Sequence, residues 1–588
     1  MKKFLDVISD VMSEAFAACG YEEKYARVTV SNRPDLCEYQ CNGAMAAAKA
    51  YKKAPIVIAN EVVENLKNEK MFESVEAVNP GFINIILGCE AVAEMMNTMT
   101  HEDRMGFELD GTNEKVILDY GGANAAKPLH VGHLRSACIG ESIKRIEKFV
   151  GNETISDVHL GDWGLQMGLI IEELRERKPD LVYFDETYTG EYPTEPPFTL
   201  AELEDIYPCA SAKSKNDEAF MERAHLATVK IQQGDRACNA IWQHIMAISK
   251  VDLKKNYDSL NVSFDLWKGE SDSKAYIPDM IKDFIDRGIA HESQGAVVVD
   301  VAQESDTREI PPCLIQKSDG AALYATSDLG TIIEREKLYS PDTYIYVTDK
   351  RQEMHFTQVF RTAKKAGIVP EDKKMVFLGF GTMNGTDGKP FKTRSGGVMR
   401  LEYLIEDIQK AVREKVESNR DMSPEETDEI VKIVGLAALK YGDLSNQASK
   451  DYVFDIDRFT SFEGNTGPYI LYTIVRIKSI ISKYLENGGS MDSLKVLGAQ
   501  GKAEKALELS LLKFGEVINA AHAEYAPHKI CQYIYEVSNE FNGFYHDTRI
   551  LTEENQAKKE SYIALIDLTK RILEACVDML GIQVPDRM

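Results

Sequence analysis

Lys115-Val-Ile-Leu-Asp-Tyr-Gly-Gly122, followed after one alanine by Asn124-Ala-Ala-Lys-Pro-Leu-His130-Val-Gly-His133, decides the fold class of this chain. The first stretch is a short apolar run of strand length. After His133, Leu134, Ile139, Ile143, Ile146 and Phe149 recur at helical spacing. A buried strand therefore turns into a helix at a pair of histidines. In a parallel α/β sheet that turn is where phosphate ligands bind, on the free N–H groups and the positive dipole end of the helix.

Outward from this turn, residues 115 to about 400 alternate between strand-like and helical patterns. The strand-like runs are Val116–Asp119, Thr154–His159, Val297–Val301, Tyr344–Thr348 and Met375–Phe380. Such alternation predicts a doubly wound, Rossmann-like parallel sheet. The acidic, Tyr-rich stretch Pro179–Pro208 holds Pro193, Pro196 and Pro197 and reads as an irregular insertion. Residues 1–112 read as a separate α+β module, with Phe4, Ile8, Val11 and Ala15 on one helix face, an Ala-rich segment at Gly43–Ala50 and a strand in Gly81–Leu87. A charged stretch, His101–Glu114, leads from it into residues 113–400. Beyond 400 the strands stop. Ser423-Pro-Glu-Glu426 is a helix start, with Ser as cap, Pro at the first position and Glu three after the cap. Pro468–Leu485, Ala503–Ala521, His528–Phe544 and Ile563–Leu580 follow as helical runs, so 401–588 reads as an all-α bundle.

The totals cut in both directions. A net charge of −25 opposes nucleic-acid binding on composition alone. Only local grouping of basic residues overcomes it, and Lys350, Arg351, Arg361, Lys364, Lys365, Lys373 and Lys374, with Arg476, Lys478 and Lys483 further on, count little by themselves, since a solvated helix face explains them equally well. No window approaches the ~18 apolar residues of a membrane span. Asp6, Asp10 and Glu14 interrupt any signal-peptide core, which predicts a cytoplasmic protein. Of the ten cysteines only Cys37 and Cys41 lie close together, so reduced thiols are expected and no zinc site.

His130-Val-Gly-His133 at a strand-to-helix turn resembles the nucleotide-binding signature of class I aminoacyl-tRNA synthetases. Four residues are a weak signal, and two capping histidines would account for them. The match is longer, running through Asn124, Lys127, His130, Gly132, His133 and Leu134-Arg-Ser136. With Gly161-Asp-Trp-Gly164 and Gln166 downstream, the block is similar to arginyl-tRNA synthetases. The resemblance covers most of residues 113–588. It implies ATP with Mg²⁺, L-arginine and the tRNA for arginine as partners, no DNA, no membrane, and the monomeric state common in the family.

Activation of an amino acid by ATP builds charge on phosphoryl oxygens, so fixed donors around them lower the barrier. His130, His133 and the helix start supply donors, and Gly132 lets backbone approach the nucleotide. The family's second phosphate element, Lys-Met-Ser-Lys-Ser, corresponds here to Phe391-Lys392-Thr-Arg-Ser395-Gly-Gly397. Lys392 and Ser395 are kept, whereas the second lysine is replaced by Arg394 or by nothing equivalent. The resemblance implies that Lys127 compensates, as a mobile point charge suited to a departing pyrophosphate.

A guanidinium stays charged and offers five donors in a planar fork, so its pocket needs carboxylates and neutral acceptors. The positions that match the family's arginine-contacting residues are Asp119, Asn124, Glu270, Tyr324, Asp328 and Gln352. Tyr324 and Asp328 are four apart and would share a helix face. In the bundle, Phe462-Glu-Gly-Asn-Thr-Gly-Pro-Tyr469 with Tyr472 and Arg476, and the ending Pro585-Asp-Arg-Met588, resemble the family's anticodon domain. Aromatic faces there could stack unpaired bases, or equally pack between helices. The resemblance gives the N-terminal module the role of touching the tRNA elbow.

Three rivals define what must be excluded. A dinucleotide dehydrogenase would need Gly-x-Gly-x-x-Gly after the first strand, which is missing. A glutamine or glutamate synthetase would need a basic pocket. A non-catalytic tRNA-binding paralogue would not need the intact Lys127, His130, His133 and Asp328.

Overall fold

The computed structural model describes residues 4–108, 113–318, 323–389, 399–416 and 422–588. Lys392 and Ser395 lie outside the described residues. The chain divides into two compact units, one of residues 111–461 with 579–582, the other of residues 1–110, 462–578 and 583–588.

The first unit is built on a four-stranded parallel sheet. Its spatial order is Lys374–Phe380, Thr343–Asp349, Lys115–Asp119 and Glu153–Asp157. The strand that precedes the histidines is therefore central, and the chain winds away from it on both sides, as the alternation predicted. The crevice at such a reversal lies beyond the strands' C-terminal ends, where ligands bind. Ile117, Tyr344 and Tyr346 from the sheet pack with Leu329, Ile332, Phe356 and Val359 in one apolar core.

Two expectations shift here. Val297–Val301 does not join the parallel sheet. Ala296–Val299 is the middle strand of a separate antiparallel sheet, between His291–Ser293 and Cys313–Gln316. A short apolar run fits either setting. The turn before it decides, because Gln294 and Gly295 both have positive φ (53° and 81°), the geometry of a two-residue hairpin. The second shift concerns Pro179–Pro208, which is not irregular throughout. Thr199 and Glu202 form a capping box, and a helix runs Leu200–Lys213 with Pro208 inside it.

Helices Leu401–Val416 and Pro424–Leu444 belong to this unit, so its boundary falls at Ser461 rather than at 400. Ser423 caps the second with Glu426 as its sequence foretold. Buried Arg135 donates to Asp443 Oδ1 at 2.8 Å, and Lys440 donates to the Leu260 and Gly581 carbonyls at 2.9 Å. A two-residue parallel pair, Met383–Asn384 with Tyr452–Val453, is a strand element beyond 400 that was not foreseen.

The second unit joins the N-terminal module to the C-terminal helices. An antiparallel sheet in the order Val28–Val30, Tyr39–Cys41, Phe82–Leu87, Phe72–Val78 is covered by helices, among them Phe4–Ala18. Phe4, Ile8, Met12, Ala15 and Phe16 are that helix's buried face, with Met12 in the place expected of Val11. Asn97 hydrogen-bonds both the N–H and the carbonyl of Val496, at 2.9 and 2.8 Å. Lys505 pairs with Glu38 at 2.7 Å. The module thus packs with the bundle rather than standing apart. Gly467–Glu486, Pro527–Asp547 and Gln556–Met579 are helices as expected, whereas the run Ala503–Ala521 splits into Lys502–Leu512 and Phe514–Ala523. Among the described residues no helix is long and apolar enough to cross a membrane.

Candidate active site

The central strand ends at Asp119, and the chain crosses to His130, the cap of helix Val131–Val150. His130 Nδ1 accepts from the Gly132 N–H at 3.0 Å, and His133 Nδ1 accepts from the His130 N–H at 3.1 Å. A ring nitrogen that accepts carries no proton, so each imidazole keeps its hydrogen on Nε2. The two rings lie 3.9 Å apart. Burial lowers the pKa of both, that of His133 to about 3, and Lys127 nearby adds to the effect. The histidines are therefore helix caps and, at the same time, neutral donors. A Cβ on Gly132 would come within 2.7 Å of the His130 ring, so glycine is needed to seat the imidazole itself.

Ser136 fixes this helix to the sheet. Its hydroxyl donates to the Val347 carbonyl at 2.7 Å and accepts from the Gly121 N–H at 2.9 Å. The flank of the second loop is fixed to the same turn. Val131 N–H donates to the Met399 carbonyl at 3.1 Å and Leu401 N–H to the Leu129 carbonyl at 3.0 Å, with His130 and Arg400 paired antiparallel. Residues 399–401 follow in sequence the segment that holds Lys392 and Ser395.

Gly161-Asp-Trp-Gly164 supports the amino-acid side. Asn124 pairs with Gly161 in parallel register, and a Cβ on Gly161 would meet the Asn124 side chain at 2.5 Å. Asp162 accepts from the Ser271 N–H and hydroxyl at 3.0 and 2.7 Å. The run Phe264–Ser271 lies beside residues 156–160, with Leu266 paired to Asp157 and Gly269 to Leu160. That pairing brings Glu270 to the sheet's C-terminal edge. Burial pushes the Glu270 carboxyl up to about 7; Asp162 and Asp328 push the same way and His159 opposes them.

Tyr324 and Asp328 lie on helix Tyr324–Leu338, in register for one face, and Tyr324 is exposed. Asp328 Oδ2 pairs with His355 Nε2 at 2.5 Å. Asp119 departs from the simple reading. Its Oδ2 is taken by the buried Arg335 guanidinium at 2.7 Å, which also bonds Asp157 at 2.8 Å and the Tyr346 hydroxyl at 3.2 Å. Asp119 is raised by burial, while the charges of Arg335 and His159 outweigh burial to keep Asp157 low. Gln352 is exposed at the end of a single 3₁₀ turn, and among the described residues no hydrogen bond joins its side chain or that of Tyr324 to the carboxylates.

His159 is the residue the sequence reading missed. It was absorbed into the strand run Thr154–His159, but the strand stops at Asp157. His159 has φ +42°, and both ring nitrogens are buried with no hydrogen-bond partner among the described residues. Burial would lower its pKa, yet Asp119, Asp157 and Asp328 raise it against Arg335. A polar residue closing a buried strand just before Gly-Asp-Trp-Gly was the available signal.

In the second unit, Tyr472, Arg476 and Met588 line one cavity of about 950 Å³ with Lys478, Tyr545 and Arg549. The Arg476 guanidinium lies over the Tyr472 ring at 4.7 Å and the Tyr545 ring at 5.3 Å, and bonds Asn542 at 2.6 Å. Tyr469 instead bonds Asn539 and Asn542, which ties helix Gly467–Glu486 to Pro527–Asp547.

A reversal in a parallel sheet, with a helix capped by His-x-Gly-His after its central strand, is the framework of a class I aminoacyl-tRNA synthetase. Residues 94–456 match the model described as tRNA synthetases class I (R), catalytic domain. Residues 470–588 match a DALR anticodon binding domain and residues 2–87 an arginyl tRNA synthetase N-terminal domain. The chain is 60% identical over 597 residues to an arginine–tRNA ligase of Agathobacter rectalis, with 100% of each covered. It is 55% identical over 588 residues to that of Alkaliphilus oremlandii, again with 100% of each covered. An arginyl-tRNA synthetase structure from Plasmodium falciparum shares the fold, with a TM-score of 0.79 at 24% identity over 100% of both chains. The chain belongs to the arginyl-tRNA synthetase family.

Proposed function

We propose that the chain makes arginyl-adenylate at the turn around His130 and His133 and then passes the arginyl group to the terminal adenosine of its tRNA. As a member of its family it is an enzyme, a class I synthetase that joins arginine to tRNA. A carboxylate oxygen of arginine attacks the α-phosphorus of ATP, and the bond to pyrophosphate breaks. No side chain is needed as a nucleophile; catalysis is positioning plus charge stabilisation.

The observation that carries this reading is the pair of Nδ1 atoms bonded to backbone N–H groups, which leaves two neutral Nε2–H donors at a helix start. Lys127, Gly132, Lys392 and Ser395 complete the phosphate site in this reading. Among the described residues no group of three or more His, Cys, Asp or Glu could hold a metal ion. Mg²⁺ is therefore assigned to the ATP phosphates, its usual place in nucleotide sites.

Glu270 and Asp328 take the guanidinium, with Asn124, Tyr324 and Gln352 as the remaining contacts the family match supplies. Asp119 acts through Arg335, as a wall of the pocket. Tyr472, Arg476 and Met588 meet the anticodon, with Tyr469 holding the wall behind them. The N-terminal module touches the tRNA elbow, and the enzyme works as a cytoplasmic monomer.

ATP–pyrophosphate exchange with arginine, glutamine and glutamate, each with and without tRNA, tests the reading. Arginine-dependent exchange is expected, with the tRNA requirement typical of the family. Exchange with glutamine or glutamate, or none under any condition, would overturn it.

A further inference from the structure

We propose that helix Leu200–Lys213, in the insertion the family motifs do not explain, is the positioning element for Lys127, and that Tyr207 holds the Lys127 ammonium ready for the triphosphate. The proposal rests on the reading that Lys127 meets the nucleotide.

The Lys127 ammonium lies over the Tyr207 ring, 4.6 Å from its centroid. Tyr207 is itself held from behind by the apolar cluster of Leu169, Ala210, Phe220 and Ala224. One turn earlier on the same helix, Glu204 pairs with Arg400 at 3.1 Å. Arg400 is the residue whose backbone pairs with His130. The helix thus touches both flanks of the phosphate site, the lysine before the first histidine and the exit of the segment holding Lys392.

The charge arrangement explains why an aromatic ring does this work. Lys127, Glu204 and Asp252 line one small cavity with Ala126, Leu203 and Ser249. Either carboxylate could neutralise the lysine. Glu204 is instead engaged by Arg400, and Lys127 forms an ion pair with no described carboxylate. The backbone is pinned as well, with Ala126 at φ +63° and its N–H donated to Ser249 Oγ at 2.8 Å. A ring face attracts a cation without cancelling its charge. Lys127 is therefore held by a ring face, with no described carboxylate set against it, toward an incoming phosphate.

The test is ATP–pyrophosphate exchange at saturating tRNA for wild type, Tyr207→Leu, Tyr207→Phe, Lys127→Met and the Tyr207→Leu/Lys127→Met double variant. Tyr207→Leu should lower kcat about 2- to 30-fold, the range such contacts span, with KM for arginine unchanged. Tyr207→Phe, which keeps the ring face, should restore the rate. In the Lys127→Met background, loss of the ring should have almost no further effect. Wild-type exchange by Tyr207→Leu, failure of Tyr207→Phe to restore it, or independent multiplication of the two defects would overturn the proposal. Normal exchange by Lys127→Met alone would overturn the reading of Lys127, and this proposal with it. Thermal melting of each variant is measured alongside. If Tyr207→Leu melts early, Tyr207→Met is assayed in its place with the same expected and overturning outcomes.

Discussion

His355 Nε2 lies 2.5 Å from Asp328 Oδ2, so a second helix holds the carboxylate that a guanidinium would meet. A side chain fixed in this way cannot swing to suit a different ligand, which makes Asp328 a candidate for setting selectivity. Asp328→Asn should lower kcat/KM for arginine by about 2–5 kcal/mol, the scale for removing one partner of a desolvated charge pair. Citrulline puts an oxygen where arginine has a donor, so an acceptor meets the acceptor oxygens of Asp328 in the wild type. Its activation should fall less, or rise. An unchanged ratio of kcat/KM for the two amino acids would place Asp328 outside the pocket.

The histidines should show themselves in single-turnover adenylate formation rather than in arginine binding. Losing one preorganised donor costs about 2.7–4 kcal/mol in the transition state. His130→Ala and His133→Ala should each approach that range with arginine affinity intact. Burial lowers both pKa values, that of His133 to about 3, so the His133 ring stays neutral well below pH 6.5. No loss of rate assignable to His133 is expected between pH 7 and pH 6.5. A near-normal single-turnover rate in both variants would remove their role.

Glu270 predicts a pH dependence with a definite sign. Its carboxyl is raised to about 7, so it is neutral below that pH and charged above it. The guanidinium stays charged throughout. KM for arginine should therefore fall as pH rises through 7. Glu270→Gln should show a higher KM that does not change over the same interval. The same slope in wild type and variant would assign the titration elsewhere.

Tyr472 and Arg476 should act on tRNA alone. Replacing either with Ala should raise KM for tRNA about 5- to 100-fold, as expected for loss of a base-stacking contact, while arginine and ATP affinities hold. Lower melting temperature with normal tRNA affinity would make the stack of Arg476 on Tyr472 and Tyr545 a packing device.

The sheet was legible because its strands are short apolar runs with helices between them, and the signature turn because strand and helix periods meet there. The antiparallel sheet around Ala296–Val299 was not, since an apolar run looks the same in either setting until the Gln294-Gly295 turn is recognised. The helix Leu200–Lys213 was hidden by Pro208, although Thr199 and Glu202 spelled out its capping box. Asp328 and Glu270 were reached only through the family resemblance, since each alone reads as a surface carboxylate. His355 could not be named, because its contact with Asp328 depends on how two helices converge. Nor could Arg335, which approaches Asp119 from more than two hundred residues away in sequence.

Arg335 gives the pocket a resident of the same chemical kind as its visitor. The guanidinium bonded to Asp119, Asp157 and Tyr346 is held on a tether where the strands Lys115–Asp119 and Glu153–Asp157 end. What remains, in our reading, is Glu270 and Asp328, and a ligand's guanidinium meets those two rather than Asp119 and Asp157. A version of the chain without Arg335 would present two vacancies of equal appeal, and free arginine could settle in the unproductive one.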